Sequence, residues 1–240
     1  MDPKRILTED KWFIAVHKYA GELVIADRWG KEPRENILLY SVGDYLRSQG
    51  HQMDESGRDL YPVHRLDRQT SGIVLFAKHQ EAHKKLSEMF EIRKIKKTYW
   101  AVVVGEPDWN YANANIAMKR AEGKKGRGRA LIDLKQGNPA ETEFVVKERF
   151  KNAALIEAHP KSGRLHQIRV HLRALGNPLI FDENYGISNW LEKNYPQIKL
   201  NRTPLHARAI DFVHPHSSNK IHIECPLDQD FTDLLTELRG

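Results

Sequence analysis

The sequence predicts one domain that mixes strands and helices, on three observations. Short apolar or β-branched runs recur along the chain and are too short for helices, Ile73-Val74-Leu75-Phe76 being the clearest. Segments with apolar residues at helical spacing, such as Asn36 to Arg47 and Gln80 to Ile92, stand between them. No Pro/Gly/Ser linker, low-complexity tract or internal repeat divides the 240 residues, so one domain spanning 1–240 is expected.

Taken in order, Trp12 to Val16 reads as the first strand, and Leu23-Val24-Ile25 as a short second one after the Ala20-Gly21 turn. Residues 36 to 47, NILLYSVGDYLR, carry a helical apolar stripe ended by Gly50. Tyr61-Pro62-Val63 leads into a polar loop, His64 to Gly72, and the run from Ile73 to Phe76 leaves it as a strand buried on both faces. Gln80 to Ile92 sets Ala82, Leu86, Met89 and Phe90 on one helical face, and a strand rich in β-formers follows from Thr98 to Gly105.

Residues 116 to 129, basic and dotted with glycine, read as a mobile surface loop. Pro139 to Val146 and Asn152 to Ala158 read as the two strands of a hairpin. Lys161 to Leu175 is expected to run as a helix from a Ser-Gly turn, with Leu165, Ile168, Leu172 and Leu175 on one face and Gly176 at its end. A helical insert at about Ser188 to Tyr195, strands over 204–213 and 221–224, and an amphipathic helix from Phe231 to Leu238 complete the chain.

Thirty-eight Lys and Arg against 32 Asp and Glu give +6 with neutral histidines and a pI near 9.3. The excess is clustered, at Arg93 to Lys97 and again at Lys119, Arg120, Lys124, Lys125, Arg127 and Arg129. Such clusters are the footprint of a polyanion site, or else a solvated face. A single cysteine, Cys225, excludes an intramolecular disulfide and a cysteine-based zinc site, and no bound metal is expected. The N-terminus lacks an apolar run of signal-peptide length and nowhere do eighteen apolar residues run together, so a cytoplasmic protein with no membrane partner is expected.

The chemistry concentrates at Asp67, which lies between Arg65 and Arg68 at the rim of a core. An aspartate in a loop ordinarily caps a turn. Two flanking guanidiniums favour the charged form, and an ionised, partly buried carboxylate is a candidate nucleophile or base. Tyr99 taken alone reads as a core aromatic, and Arg169 taken alone as a surface arginine on an amphipathic helix.

The string HRLDRQTSGIVLFAK, residues 64 to 78, resembles the active-site signature of the RluA-type family of RNA pseudouridine synthases: HRLD, two variable residues, TSG and an apolar strand. Lys97-Thr98-Tyr99 resembles the family's second signature, a basic residue and a tyrosine opening a strand, and Tyr99 follows the aspartate by 99 − 67 = 32 residues. Gly163-Arg164 with His166-Gln167-Ile168-Arg169 and His171-Leu172 resembles the third. The chain departs from the family pattern at His17-Lys18-Tyr19, where Asn-Lys-Pro is usual, and at Phe181, where glycine more often precedes the aspartate.

This resemblance implies an α+β fold, a mixed, mainly antiparallel sheet with surrounding helices and a central catalytic cleft, and isomerisation of uridine in RNA without metal or other cofactor. It implies Asp67 as nucleophile, Arg169 as its ion-pair partner and Tyr99 stacked on a uracil flipped from its strand. Arg65 would fill the vacated place, with His64, Arg68, Lys97 and Arg164 on the RNA and Leu205 bordering the base pocket. The expected partner is a stem-loop of ribosomal or transfer RNA, bound by a monomer. A first strand beginning by Trp12 leaves no room for the small RNA-binding domain that many members carry ahead of the catalytic one. Two other classes compete. Intact Asp67, Tyr99 and Arg169 argue against a non-catalytic RNA-binding protein, and no Ser–His or Cys–His pairing or metal-ligand cluster at recognisable spacing supports a hydrolase.

Overall fold

The computed structural model describes residues 1–27, 32–52, 60–122, 128–187 and 189–240. Its strands are β1 (Ile6–Glu9), β2 (Phe13–Lys18), β3 (Tyr61–Pro62), β4 (Ser71–Ala77), β5 (Lys96–Val104), β6 (Tyr111–Asn115), β7 (Met118–Glu122), β8 (Gly128–Ile132), β9 (Glu141–Phe150), β10 (Ala153–Pro160), β11 (Leu205–Val213) and β12 (Lys220–Glu224). The α-helices are α1 (Leu38–Ser48), α2 (Gln80–Glu91), α3 (Gln167–Ala174), α4 (Trp190–Asn194) and α5 (Gln229–Arg239). The fold is α+β with a mixed, mainly antiparallel sheet.

Two compact units form, Met1–Lys96 with Ala207–Pro226 and Lys97–His206 with Leu227–Gly240. The chain passes from one to the other at the start of β5, inside β11 and again at Pro226–Leu227 between β12 and α5, so the first two passages fall within regular strand and carry no linker signal in the sequence.

In the first unit β2 pairs antiparallel with β4 from Phe13↔Ala77 to Lys18↔Gly72, which sets Lys18 beside the turn that opens β4. Every residue of β2 and β4 is buried, as a continuous apolar run predicts for a strand covered on both faces. Phe13, Ile73, Leu75 and Leu86 of α2 anchor this unit's core.

In the second unit the order is β5-β10-β9-β6, with Tyr99 opposite Ala158. Alternation along β5 divides its side chains between two cores. Ala101 and Val103 pack with Phe144, Ile168 and Leu172, whereas Val102 packs with Ile180, Phe231 and Leu235. A separate two-stranded sheet, β7 with β8, packs Met118 and Ala130 against Val170 and Tyr185.

The structure differs from the sequence reading at several points. Leu23 to Ile25 forms no strand, only a single bridge of Leu23 to Ile37, because Leu23 finds one partner residue and no ladder. The basic stretch 116–129 is not a loop at its ends: 118–122 and 128–132 pair as β7 and β8, while 123–127 lie outside the described residues. The helix expected from Lys161 starts only at Gln167. Residues 162–166 are held instead by the Gln167 side chain, whose Oε1 accepts from Ser162 Oγ (2.7 Å) and the Arg164 amide (3.0 Å), and His166 turns left-handed at φ +53°. Strands β1 and β6 were not expected. Among the described residues, no helix is long and apolar enough to cross a membrane.

Candidate active site

The loop carrying Asp67 is held from beneath by a lysine with no solvent exposure. Lys18 Nζ donates to the carbonyls of Thr70 (2.7 Å), Arg68 (3.0 Å) and Tyr19 (3.0 Å), so one ammonium ties the stretch that follows the aspartate to the end of β2. The Arg68 carbonyl also accepts from Gly21 N at 2.8 Å, and the Asp67 carbonyl from Thr70 N at 3.1 Å. Lysine at this point of an otherwise apolar strand is therefore structural, and it does this with His17 and Tyr19 as its neighbours in sequence.

Gly72 closes the loop. Its φ is +112°, and a Cβ built there would lie 2.3 Å from the Ala207 carbonyl oxygen, so only glycine lets the two backbones approach. His64 Nε2 accepts from the Leu75 amide at 2.9 Å, which puts the ring proton on Nδ1, and the ring stacks on Phe90 at 4.7 Å. Arg68 forks onto Glu32 (2.9 Å twice) and donates from Nε to the Gly21 carbonyl. Arg65 is exposed and, among the described residues, makes no hydrogen bond or ion pair. Asp67 is half-buried. The result is a loop tied at several points, with Asp67 two residues after an arginine that has no partner among the described residues.

The second unit holds the remaining sequence candidates. Tyr99, half-buried in β5, packs against the core that contains Leu205, which is 4% exposed. Lys97 Nζ donates to the Ser162 carbonyl (3.1 Å), and the exposed Arg164 donates from Nε to the Pro139 carbonyl (3.3 Å). These two bonds tie the loop before α3 to its surroundings.

Arg169 is buried, not on a surface face of α3. Its Nε and Nη2 fork onto Asp182, at 2.7 and 2.8 Å, and its guanidinium lies 5.1 Å from the Tyr185 ring centre. Asp182 further accepts from the amides of Asn184 (2.9 Å) and Tyr185 (3.1 Å). Burial alone would push this carboxyl up; the Arg169 fork and the two amides outweigh it and hold it below the usual carboxylate range.

Gln167, also buried, donates to Thr142 Oγ1 and to the Glu141 carbonyl, both at 2.9 Å. Thr142 then meets His171 Nδ1 at 3.0 Å, while His171 Nε2 lies 3.2 Å from the Ile116 carbonyl. Burial pushes His171 below the ordinary imidazole range, which suits a neutral ring donating from Nε2.

Sequence reasoning missed Asp182 and Tyr185 as companions of Arg169, and took Gln167 only as part of a string. A signal existed for one of them. Gln167 interrupts the apolar side of α3 beside Ile168, and a buried amide needs partners. Asp182 lies 13 residues from Arg169 across a non-helical connection, a separation no periodicity reports.

The profile described as RNA pseudouridylate synthase matches residues 13–174. Ribosomal large subunit pseudouridine synthase C of Buchnera aphidicola subsp. Acyrthosiphon pisum is 35% identical over 234 residues, covering 98% of this chain and 70% of that protein. The protein of the same name from Escherichia coli K12 is 33% identical over 237 residues, with 98% and 70% covered. Among solved structures, Human RNA Pseudouridylate Synthase Domain Containing 4 superposes with a TM-score of 0.76 at 24% identity, over 98% of this chain and 93% of that one, a likeness of fold.

Proposed function

Because the chain belongs to the RNA pseudouridylate synthase family and is an RNA-modifying isomerase, we propose that Asp67 is its nucleophile and that its substrate is ribosomal RNA of the large subunit. The observation that carries the first part is the loop itself: the full HRLDRQTSG string, locked by Lys18, His64 and Gly72, with Asp67 at its centre. The second part rests on relatives of that printed name aligned along 98% of the chain.

The reaction exchanges the bond from uracil nitrogen 1 to the sugar for one from carbon 5, with a proton leaving carbon 5 and one arriving at nitrogen 1. It consumes no oxidant, reductant or energy source. In this reading the Asp67 carboxylate attacks the uracil or the sugar carbon, Arg169 acts as its ion-pair partner, and Tyr99 stacks on the base, worth about 1–3 kcal/mol. Arg65, exposed and without a partner among the described residues, takes the place the uridine leaves, which offsets the few kcal/mol of flipping. Lys97 and Arg164 act mainly by shaping the loop before α3. The protein works as a monomer in the cytoplasm.

Two experiments test this. Pseudouridine maps of total RNA from cells with and without the protein should differ at large-subunit ribosomal sites; a difference confined to transfer RNA rejects the substrate. Purified Asp67→Asn should fold and bind RNA but leave the target uridine unconverted, and substantial conversion by it rejects the nucleophile.

A further inference from the structure

One tyrosine joins three elements of the second unit. The hydroxyl of Tyr185 accepts from the Ala130 amide of β8 at 2.8 Å, lies 3.2 Å from the Ala130 carbonyl, and meets His166 Nδ1 at 2.9 Å. A hydroxyl has one proton and two lone pairs. All three contacts are satisfied when the Tyr185 proton goes to the Ala130 carbonyl and His166 carries its own on Nδ1. Burial pushes the phenol up, so it keeps that proton at working pH.

The same residue reaches Arg169. Its backbone amide donates to Asp182, which the guanidinium forks, and its ring lies under that guanidinium. Its carbonyl accepts from Arg173 of α3 at 2.6 Å. Arg129 of β8 approaches the ring at 5.5 Å and donates to the Asn184 carbonyl at 2.7 Å. The β7–β8 hairpin so attached carries exposed Lys119, Arg120 and Arg129, charges of the sign that meets phosphates.

We propose that Tyr185 is a positioning residue: through its hydroxyl on β8 and its amide on Asp182 it makes the seating of the basic β7–β8 hairpin and the direction of the Arg169 guanidinium a single mechanical variable. This rests on the reading of Arg169 as a partner of the nucleophile. RNA phosphates that load the hairpin then act on the rate of the chemical step through Arg169 as well as on affinity.

Tyr185→Phe keeps the ring and removes the hydroxyl. Its single-turnover conversion at saturating enzyme, its equilibrium binding of ribosomal RNA and its thermal melting are to be measured on the full chain beside Asp67→Asn and Arg129→Gln. The expected result is a conversion rate lower by about tenfold with RNA affinity within about twofold, as when about one hydrogen bond's worth of the three the hydroxyl makes is expressed in the barrier. Arg129→Gln, an exposed change, should slow conversion in the same sense, and the double variant should be slower than the worse single by far less than the product of the two.

A purely structural tyrosine would lower the melting temperature and leave the single-turnover rate of folded protein at the parental value, and that result overturns the proposal. So do effects of the two variants that multiply independently. Should Tyr185→Phe fail to fold, a parental rate for Arg129→Gln overturns it alone. Conversion surviving in Asp67→Asn rejects the nucleophile instead, so the two failures are distinguishable.

Discussion

Replacing Lys18 by methionine keeps a long flexible side chain and removes the charge that gathers the Asp67 loop. Three hydrogen bonds to carbonyls disappear, at 2.7, 3.0 and 3.0 Å. Bonds made by a charged donor are worth about 1.5–3 kcal/mol each, or about 4–9 kcal/mol together before any offset. Relief from burying an ammonium returns several kcal/mol. The Arg68 carbonyl keeps Gly21 N, and Tyr19 is 44% exposed so that water reaches its neighbourhood; the Thr70 carbonyl loses most. A net loss of about 2 kcal/mol is expected, which for a chain of this length lowers the melting temperature by roughly 4–8 °C. Because Arg68 and Thr70 lie in the stretch that directly follows Asp67, conversion should fall further than stability does, read as single-turnover rate well below the melt. Lys18→Met that melts with the parent and converts at the parental rate refutes the argument that this amine positions the loop.

Gly72→Ala should be the most damaging small change in the first unit. Its Cβ would sit 2.3 Å from one Ala207 backbone atom and 2.5 Å from another at φ +112°, costing upwards of about 3 kcal/mol, and a parental urea midpoint would contradict it. His171 should make stability acid-sensitive. Its folded pKa lies below 6.5, so the neutral ring favours the fold; that contribution is complete above the unfolded value near 6.5 and is lost as pH falls through the folded one, and His171→Gln should flatten the urea midpoint below pH 6.5. Asp182 has the same sign in a lower window. Its contribution is present above the unfolded value near 3.8 and is lost only as pH falls beneath that, so the gap in urea midpoint between the parent and Asp182→Asn should stay constant above pH 5, and a gap that already closes there would contradict the assignment.

What the sequence discloses follows the range of the forces involved. β4, α2, β5 and the β9–β10 hairpin are set by local period and turn residues, and each lies within a few residues of its expected bounds. β6, with the sequence YANAN, has no such signature; it is a strand because β9 pairs with it, and only Ala114 is buried. β7 and β8 look like loop by composition, and their strand form depends on burying Met118 and Ala130 against Val170 and Tyr185, far along the chain. The start of α3 misled for a different reason. A glutamine side chain offers the backbone of 162–166 an alternative to helix, which no apolar pattern records. The candidate site was legible only as strings of residue types, so Asp67, Tyr99 and Arg169 could be named while the buried groups that hold them could not.

Those buried groups also explain why position 169 carries arginine. Asp182 has no side-chain exposure, and its two oxygens take Nε and Nη2 along one edge of the guanidinium. A carboxylate in that place needs several donors to stay ionised, and two of the four it has come from this one residue. Lysine would supply a single point of charge in place of the planar fork, leaving one oxygen to the Asn184 and Tyr185 amides alone. The fork also fixes the plane of the group, since two bonds to one carboxylate remove rotation about the last side-chain torsion. Such a fork sets the heading of the guanidinium, which apolar packing, constraining volume but not the direction of a hydrogen bond, does not. The cost of burying such an ion pair is the reason it survives only with every oxygen satisfied, and Asp182 meets that condition through a turn that ends in Tyr185 and Gly186.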